Sequence, residues 1–254
     1  MKKVISYCLF GNMEMFNQGA LINARLAKKY MPDWECWFFV AANTYKPVVE
    51  ELEKMDNVRI IYTGKPGDFT FTLRRFEVFS YPEVDVAIVR DVDSRISGRD
   101  ILCINEWMED RFNKLNFHII KDHPHGHSAV MSAGMWGAKA DAIRWIKEEI
   151  EHFLSRPGVN RNQRGVDQEF LAERVHPRII DNVLYHSTYY TNKTIGDSVS
   201  KNFPSLDRYP DNHIGAALDE NDNYFYKVDA EAAISKNGSR KYVYDFDLLE
   251  RESK

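Results

Sequence analysis

Short apolar runs alternate with segments of helical spacing through the first ninety positions. Residues 4–10 form a mostly apolar run closed by Gly11-Asn12, and residues 18–30 carry Ile22, Leu26 and Tyr30 one helical turn apart. Pro32-Asp33 ends that helix. Residues 36–42 and 58–62 predict a second and third strand, with a short acidic helix at 47–55 between them. A helix at 71–79, carrying Arg74 and Arg75, then precedes a fourth strand at 84–89. This alternation predicts an α/β fold with parallel pairing and right-handed crossovers. Further on, the pattern gives a helix at 100–112, a strand at 117–120 and the clearest amphipathic helix at 140–154, with Ile143, Ile146, Ile150 and Phe153 on one stripe. Residues 155–165 read as a polar, basic loop, and beyond Ala217 the chain is rich in Tyr and Asp with little periodicity.

Chemistry concentrates where the fourth strand ends. The run Val-Asp-Val-Ala-Ile-Val stops at Arg90-Asp91-Val92-Asp93-Ser94-Arg95. If the chain stays extended there, Asp91, Asp93 and Arg95 leave one face while Val92 points back. Two like charges roughly 6 Å apart repel by about 3 kcal/mol at an effective dielectric near 20, so a cation between them is favoured. Ligands of open α/β sheets gather at the carboxyl ends of strands, and carboxylate oxygens suit Mg²⁺ or Mn²⁺, which complete their shell with phosphate and water. A metal-bridged diphosphate site fits. The plain alternative is a solvated turn whose acids pair with Arg90, Arg95 or Arg99.

Other candidates are spread along the chain. His123, His125 and His127 sit at two-residue spacing, but the intervening Pro124 and Gly126 favour a loop that touches substrate over a metal cluster. Residues 131–140 set small residues beside Trp136, which suits backbone approach to a ligand with an aromatic platform, or equally a tight turn with a core Trp. Asp167 opens a helix with Gln168, where an N-cap is the commoner use of Asp.

Composition narrows the classes. A chain of 254 residues can bury a large core without disulfide staples. Its three cysteines, Cys8, Cys36 and Cys103, are too scattered for a disulfide framework and read as core residues of a reducing compartment. The net charge of −4 argues against nucleic acid as a partner. Met1-Lys2-Lys3 opens like a signal peptide, yet Gly11, Asn12 and Glu14 break the apolar stretch, and no run reaches the roughly 20 residues of a membrane span. A cytoplasmic location is expected, the host cytoplasm if the chain is viral.

Taken in order, Asp91-Val92-Asp93, Gly134-Met135-Trp136-Gly137, Val166-Asp167-Gln168 and a late histidine resemble glycosyltransferases of the GT-A fold. The arrangement is similar to the small capsid-type enzymes of chlorella viruses and other large DNA viruses. The resemblance implies a Rossmann-like, mixed, mainly parallel sheet flanked by helices, in one domain with an irregular C-terminal segment. Residues 1–215 would be the catalytic domain, with 1–97 as nucleotide-binding half and 98–215 as acceptor half, and 216–254 an extension packed on it. It implies transfer of a sugar from a nucleotide-sugar, UDP-linked more than GDP-linked, to a glycan or glycoprotein, with retention favoured by analogy. Asp91 and Asp93 would hold Mn²⁺ or Mg²⁺, with His186 or His213 as third ligand. Leu9, Phe10, Gly11, Arg74, Arg75, Arg90, Asp91, Arg95, Ala133 and Gly134 would contact the donor. Asp167 and Gln168 would be catalytic, and His123, His125 and Trp136 would meet the acceptor. The family's acid after the first late histidine is Ser187 here. Two rivals remain: a phosphatase of the haloacid dehalogenase type, whose Asp-X-Asp normally lies on an early strand, and a non-catalytic carbohydrate binder built on Trp136.

Overall fold

Strands buried on both faces need apolar residues at almost every position, and the first strands have them. The computed structural model describes residues 1–123, 126–159, 162–187, 196–205 and 212–251. Its strands are β1 (Lys3–Leu9), β2 (Trp34–Val40), β3 (Val58–Tyr62), β4 (Val86–Val89), β5 (Phe117–Lys121), β6 (Trp136–Lys139), β7 (Val183–Ser187) and β8 (Val199–Lys201). They form one sheet in the order β3-β2-β1-β4-β6-β5-β7-β8. Only β6 runs antiparallel, against both β4 and β5.

Alternation along β2 shows how both faces fill. Cys36, Phe38 and Val40 pack with α1 (Glu14–Tyr30), α2 (Lys46–Leu52) and α3 (Gly98–Trp107). Trp37 and Phe39 pack on the opposite side with a 3₁₀ segment, Phe69–Ser80, and with α4 (Ile146–Ser155) and α5 (Val166–Phe170). A π-helical turn, Leu171–Val175, joins α5 to α6 (His176–Ile179). Two helices, α7 (Lys227–Asn237) and α8 (Asp247–Arg251), lie in the C-terminal part. The cysteines are buried thiols, as expected.

Local differences from the sequence expectation have physical reasons. The segment at 69–80 winds as 3₁₀, started by Asp68, whose carboxylate accepts from the Thr70 N–H at 2.8 Å. The turn expected at 131–140 contains β6, whose Gly137 and Ala138 give no apolar alternation. Gly137 is required there, because a Cβ would come within 2.9 Å of the Ala87 carbonyl of β4. The long helix expected at 140–154 is shorter, with a 3₁₀ turn Ala140–Ala142 ahead of α4. In α7 the buried positions are small, Ala230 and Ala233, so its periodicity is faint.

Between β5, β7 and α3 lies a buried polar chain. The ionised carboxylate of Glu106 can only accept, so His186 Nε2 donates to it at 2.7 Å; His186 Nδ1 then accepts from His118 Nε2 at 2.8 Å. Burial pushes both imidazole pKa values down. Glu106 is held down at about 2: burial alone would raise it, but the bonds from His186 and Lys201 prevail. Both histidines are therefore neutral in the fold and free to protonate in the unfolded chain. As pH falls below the ordinary histidine value of about 6.5, the unfolded state binds protons that the fold rejects, and stability is lost. The urea midpoint is expected to drop between pH 7.5 and 5.5; a midpoint that stays level or rises on acidification contradicts this chain.

Candidate active site

β1 has β2 on one side and β4 on the other, so successive connections leave it in opposite directions and a crevice opens at the strand ends. β4 stops at Val89 and the chain turns, so the expected extended register does not continue through Arg95. The turn carries inward-facing carbonyls that need donors. Asn23 of α1 supplies two, to Val92 O at 3.3 Å and Ser94 O at 2.7 Å, while its Oδ1 accepts from Ile96 N–H at 3.0 Å. Gly19 permits this contact, since a Cβ there would lie 2.0 Å from Val92 O. Arg95 turns inward as well, donating to Asp219 O and Asp222 Oδ1, both at 2.9 Å. Leu218 N–H caps Asp93 O at 2.7 Å.

Above this turn lies a cleft of about 480 Å³, within the usual range for small-molecule sites. Leu9 and Phe10 from the end of β1, Asp91 and Asp93 from the turn after β4, Ser132, Ala133 and Gly134 from the turn before β6, and Arg75, Arg164, Asp167 and Gln168 all line it. Arg75 is buried and bridges two acids, donating to Asp91 Oδ1 and, at 2.9 Å, to Asp167 Oδ2. Gly134 lets the neighbouring backbone press on Asp91, because a Cβ would fall 2.0 Å from Asp91 Oδ2. The Asp93 carboxyl pKa is pushed up to about 6 by burial first and by Asp91 second. Among the described residues no salt bridge reaches Asp93. The Ser132 hydroxyl, buried in the wall, also has no partner among them.

These positions correct several expectations. Arg90 is buried against Asp100 through two bonds of 2.8 and 2.7 Å, and Arg99 pairs with Asp122, so neither neutralises Asp91 or Asp93. Arg95 is scaffold rather than donor contact. Arg74 pairs with Glu77 and Glu151 outside the cleft. Gly11 turns at φ +72° and does not line the cleft. Trp136 is fully buried between Phe76 and Phe79, a core residue rather than a platform, which removes the basis for a carbohydrate binder built on it. His186 has its nitrogens committed to His118 and Glu106 and does not line the cleft. His125 lies outside the described residues.

His213 sits behind the cleft wall, its ring 4.6 Å from that of His123 and 5.7 Å from that of His127. With Asp229, His123 and His213 bring possible metal ligands within 4.8 Å of one another, a set that excludes Asp91 and Asp93. His123 Nδ1 accepts from Gly126 N–H at 2.7 Å, which places the proton of the neutral ring on Nε2, facing Asp229. His123 Nε2 lies 3.9 Å from Asp229 Oδ1, beyond hydrogen-bond distance. His127, from the loop expected to touch substrate, lines the cleft, whereas residues that sequence reading missed include Asn23, Ser132, Arg164, Gly215 and Tyr226. Only the polar Asn23 on an otherwise apolar helix stripe offered a signal.

A mainly parallel sheet with one inserted antiparallel strand, and an Asp-X-Asp turn closing its central strand, is the GT-A fold. Among solved structures the chain resembles a glycosyltransferase involved in glycosylation of the major capsid of PBCV-1: 14% identity, TM-score 0.51, 74% of this chain and 83% of that one. It also matches a mannosyltransferase from Pyrobaculum calidifontis in complex with GDP-Man and Mn²⁺ (10% identity, TM-score 0.47, 81% of this chain and 58% of that one). A third match is the galactosyltransferase LgtC with donor and acceptor sugar analogues (16% identity, TM-score 0.44, 73% of each chain). At these identities the likeness is one of fold. No family model matches the chain, and no curated protein matches it in sequence.

Two variants probe the site without substrate. In chelator-treated protein, Asp93→Asn should raise stability by about 1–2 kcal/mol, because it removes a buried charge beside Asp91; an unchanged or lower melting temperature is the contrary result. Gly134→Ala should destabilise by about 1–3 kcal/mol, the cost of forcing Asp91 aside.

Proposed function

We propose that the protein is a divalent-metal-dependent glycosyltransferase that moves a sugar from a nucleotide-sugar to a glycan or glycoprotein, with UDP preferred to GDP. The observation that carries this reading is the placing of Asp91, Asp93 and Asp167 around one cleft at the carboxyl ends of β1 and β4.

The residues present fit the metal. Arg75 holds Asp91 by Oδ1, which leaves Oδ2 beside Gly134, and Asp93 is an unpaired, part-buried carboxylate. Two such oxygens are what Mn²⁺ or Mg²⁺ takes from a protein when phosphate and water complete its shell. When bound, the ion would neutralise charge that develops on the departing diphosphate. A third ligand from His213 would require it to leave its contact with His123.

The chain's own groups divide the remaining work. Leu9 and Phe10 offer an apolar wall to the nucleoside. Ala133, Gly134 and the Ser132 hydroxyl face the sugar. Asp167, fixed by Arg75, presents a carboxylate that stabilises positive charge at the anomeric carbon, and Gln168 is placed to hydrogen-bond the sugar. The bond from that carbon to the β-phosphate oxygen breaks, its electron pair leaving with the phosphate. The acceptor oxygen bonds to the carbon and passes its proton to the departing phosphate oxygen. Retention follows the family resemblance.

Incubating the protein with Mn²⁺ and a panel of UDP- and GDP-sugars should reveal slow donor hydrolysis, abolished by chelator and reduced at least a hundredfold in Asp93→Ala or Asp167→Asn with the fold intact. UDP with Mn²⁺ at a hundredfold excess over Kd should stabilise by about 2.7 kcal/mol. Hydrolysis that persists in chelator would overturn the metal role.

A further inference from the structure

The cleft has two arginines among its described lining residues, and one of them is already spent. Arg75 has its terminal nitrogens on Asp91 and Asp167. Arg74, Arg90, Arg95 and Arg99 are each paired away from the cleft. Arg164 is the other lining arginine, exposed, and no carboxylate pairs with it among the described residues. It stands three positions before Asp167, and Gly165 between them takes φ +90°, a left-handed turn that brings the loop around onto the cleft.

Charge balance says what Arg164 is for. Asp91, Asp93 and Asp167 bring three carboxylates to the lining, and of the two guanidinium groups there Arg75 is paired with two of them. A divalent ion would offset the remaining excess, and a diphosphate held by that ion would bring negative charge for which Arg164 is the unspent guanidinium among the described lining residues. We propose that Arg164 is the side chain that receives the diphosphate of the donor, where the family resemblance points to Arg74 or Arg75 as donor contacts. The proposal rests on the nucleotide-sugar reading above. A planar guanidinium pairs two phosphate oxygens at once, so Arg suits this place better than Lys.

Calorimetric titration with Mn²⁺ tests it, using UDP, GDP and uridine against the native chain, Arg164→Gln and Arg164→Lys. In Arg164→Gln, affinity for the diphosphate should fall about tenfold or more, as expected on losing one charge-assisted hydrogen bond, with uridine binding unchanged. The salt dependence of diphosphate binding should flatten, and Arg164→Lys should recover part of the loss. Diphosphate affinity within twofold of native in Arg164→Gln overturns the proposal, as does an equal loss for uridine, which would make the loop's shape the cause. If only the KM for an acidic acceptor rises, the anion it binds belongs to the acceptor and the proposal is wrong. A native chain that binds neither UDP nor GDP in Mn²⁺ removes the nucleotide-sugar reading itself, and this assignment with it.

Discussion

The buried guanidinium of Arg75 sets the geometry on which the cleft depends. Burial opposes its charge, yet the Asp91 and Asp167 carboxylates more than offset that cost and hold it firmly protonated. The Asp91 side chain is 43% exposed to the cleft, whereas Asp167 is buried with Arg75, and removing one partner of such a buried pair commonly costs about 3–5 kcal/mol because a stranded charge remains. The bridge joins three parts that are far apart in sequence: the 3₁₀ segment, the turn after β4 and the start of α5. Each carboxylate keeps an oxygen directed away from Arg75, so the bridge orients the acids without exhausting them.

Around this ionic centre the support is neutral and close-packed. Gly19 and Asn23 bring α1 against the turn and satisfy its carbonyls, while Gly134 lets the turn before β6 approach Asp91. Asp93 is left as the least compensated acid, raised towards neutrality by its surroundings. Holding like charges this close is locally unfavourable, and the rest of the fold bears it.

Much of the architecture was legible in the chain. Apolar runs located β1, β2 and β4 because parallel strands buried on both faces leave few polar positions to confuse the pattern, and the edge strand β3 still carries Val58, Ile60 and Ile61. The Asp91–Asp93 pair was legible because it ends such a run. The strand β6 was hidden, since Gly137 and Ala138 fit a crowded gap between two neighbours and write no alternation. Roles of the arginines were illegible for a different reason: Arg74, Arg75, Arg90, Arg95 and Arg99 look alike in sequence, and only tertiary pairing decides which of them faces a ligand. Trp136 failed in the same way, an aromatic beside small residues being equally at home in a core.

The C-terminal part holds the Asp91–Asp93 turn from far along the chain. Arg95 and Asp222 are separated by 127 residues, and Gly98 and Asp245 by 147. Contacts that close such long loops form after local ones, since chain entropy must first be overcome. During synthesis the sheet's first half can therefore assemble while the turn at 91–97 still lacks its outer fastening. The turn that carries Asp91 and Asp93 gains this fastening only once residues 218–245 have joined the fold.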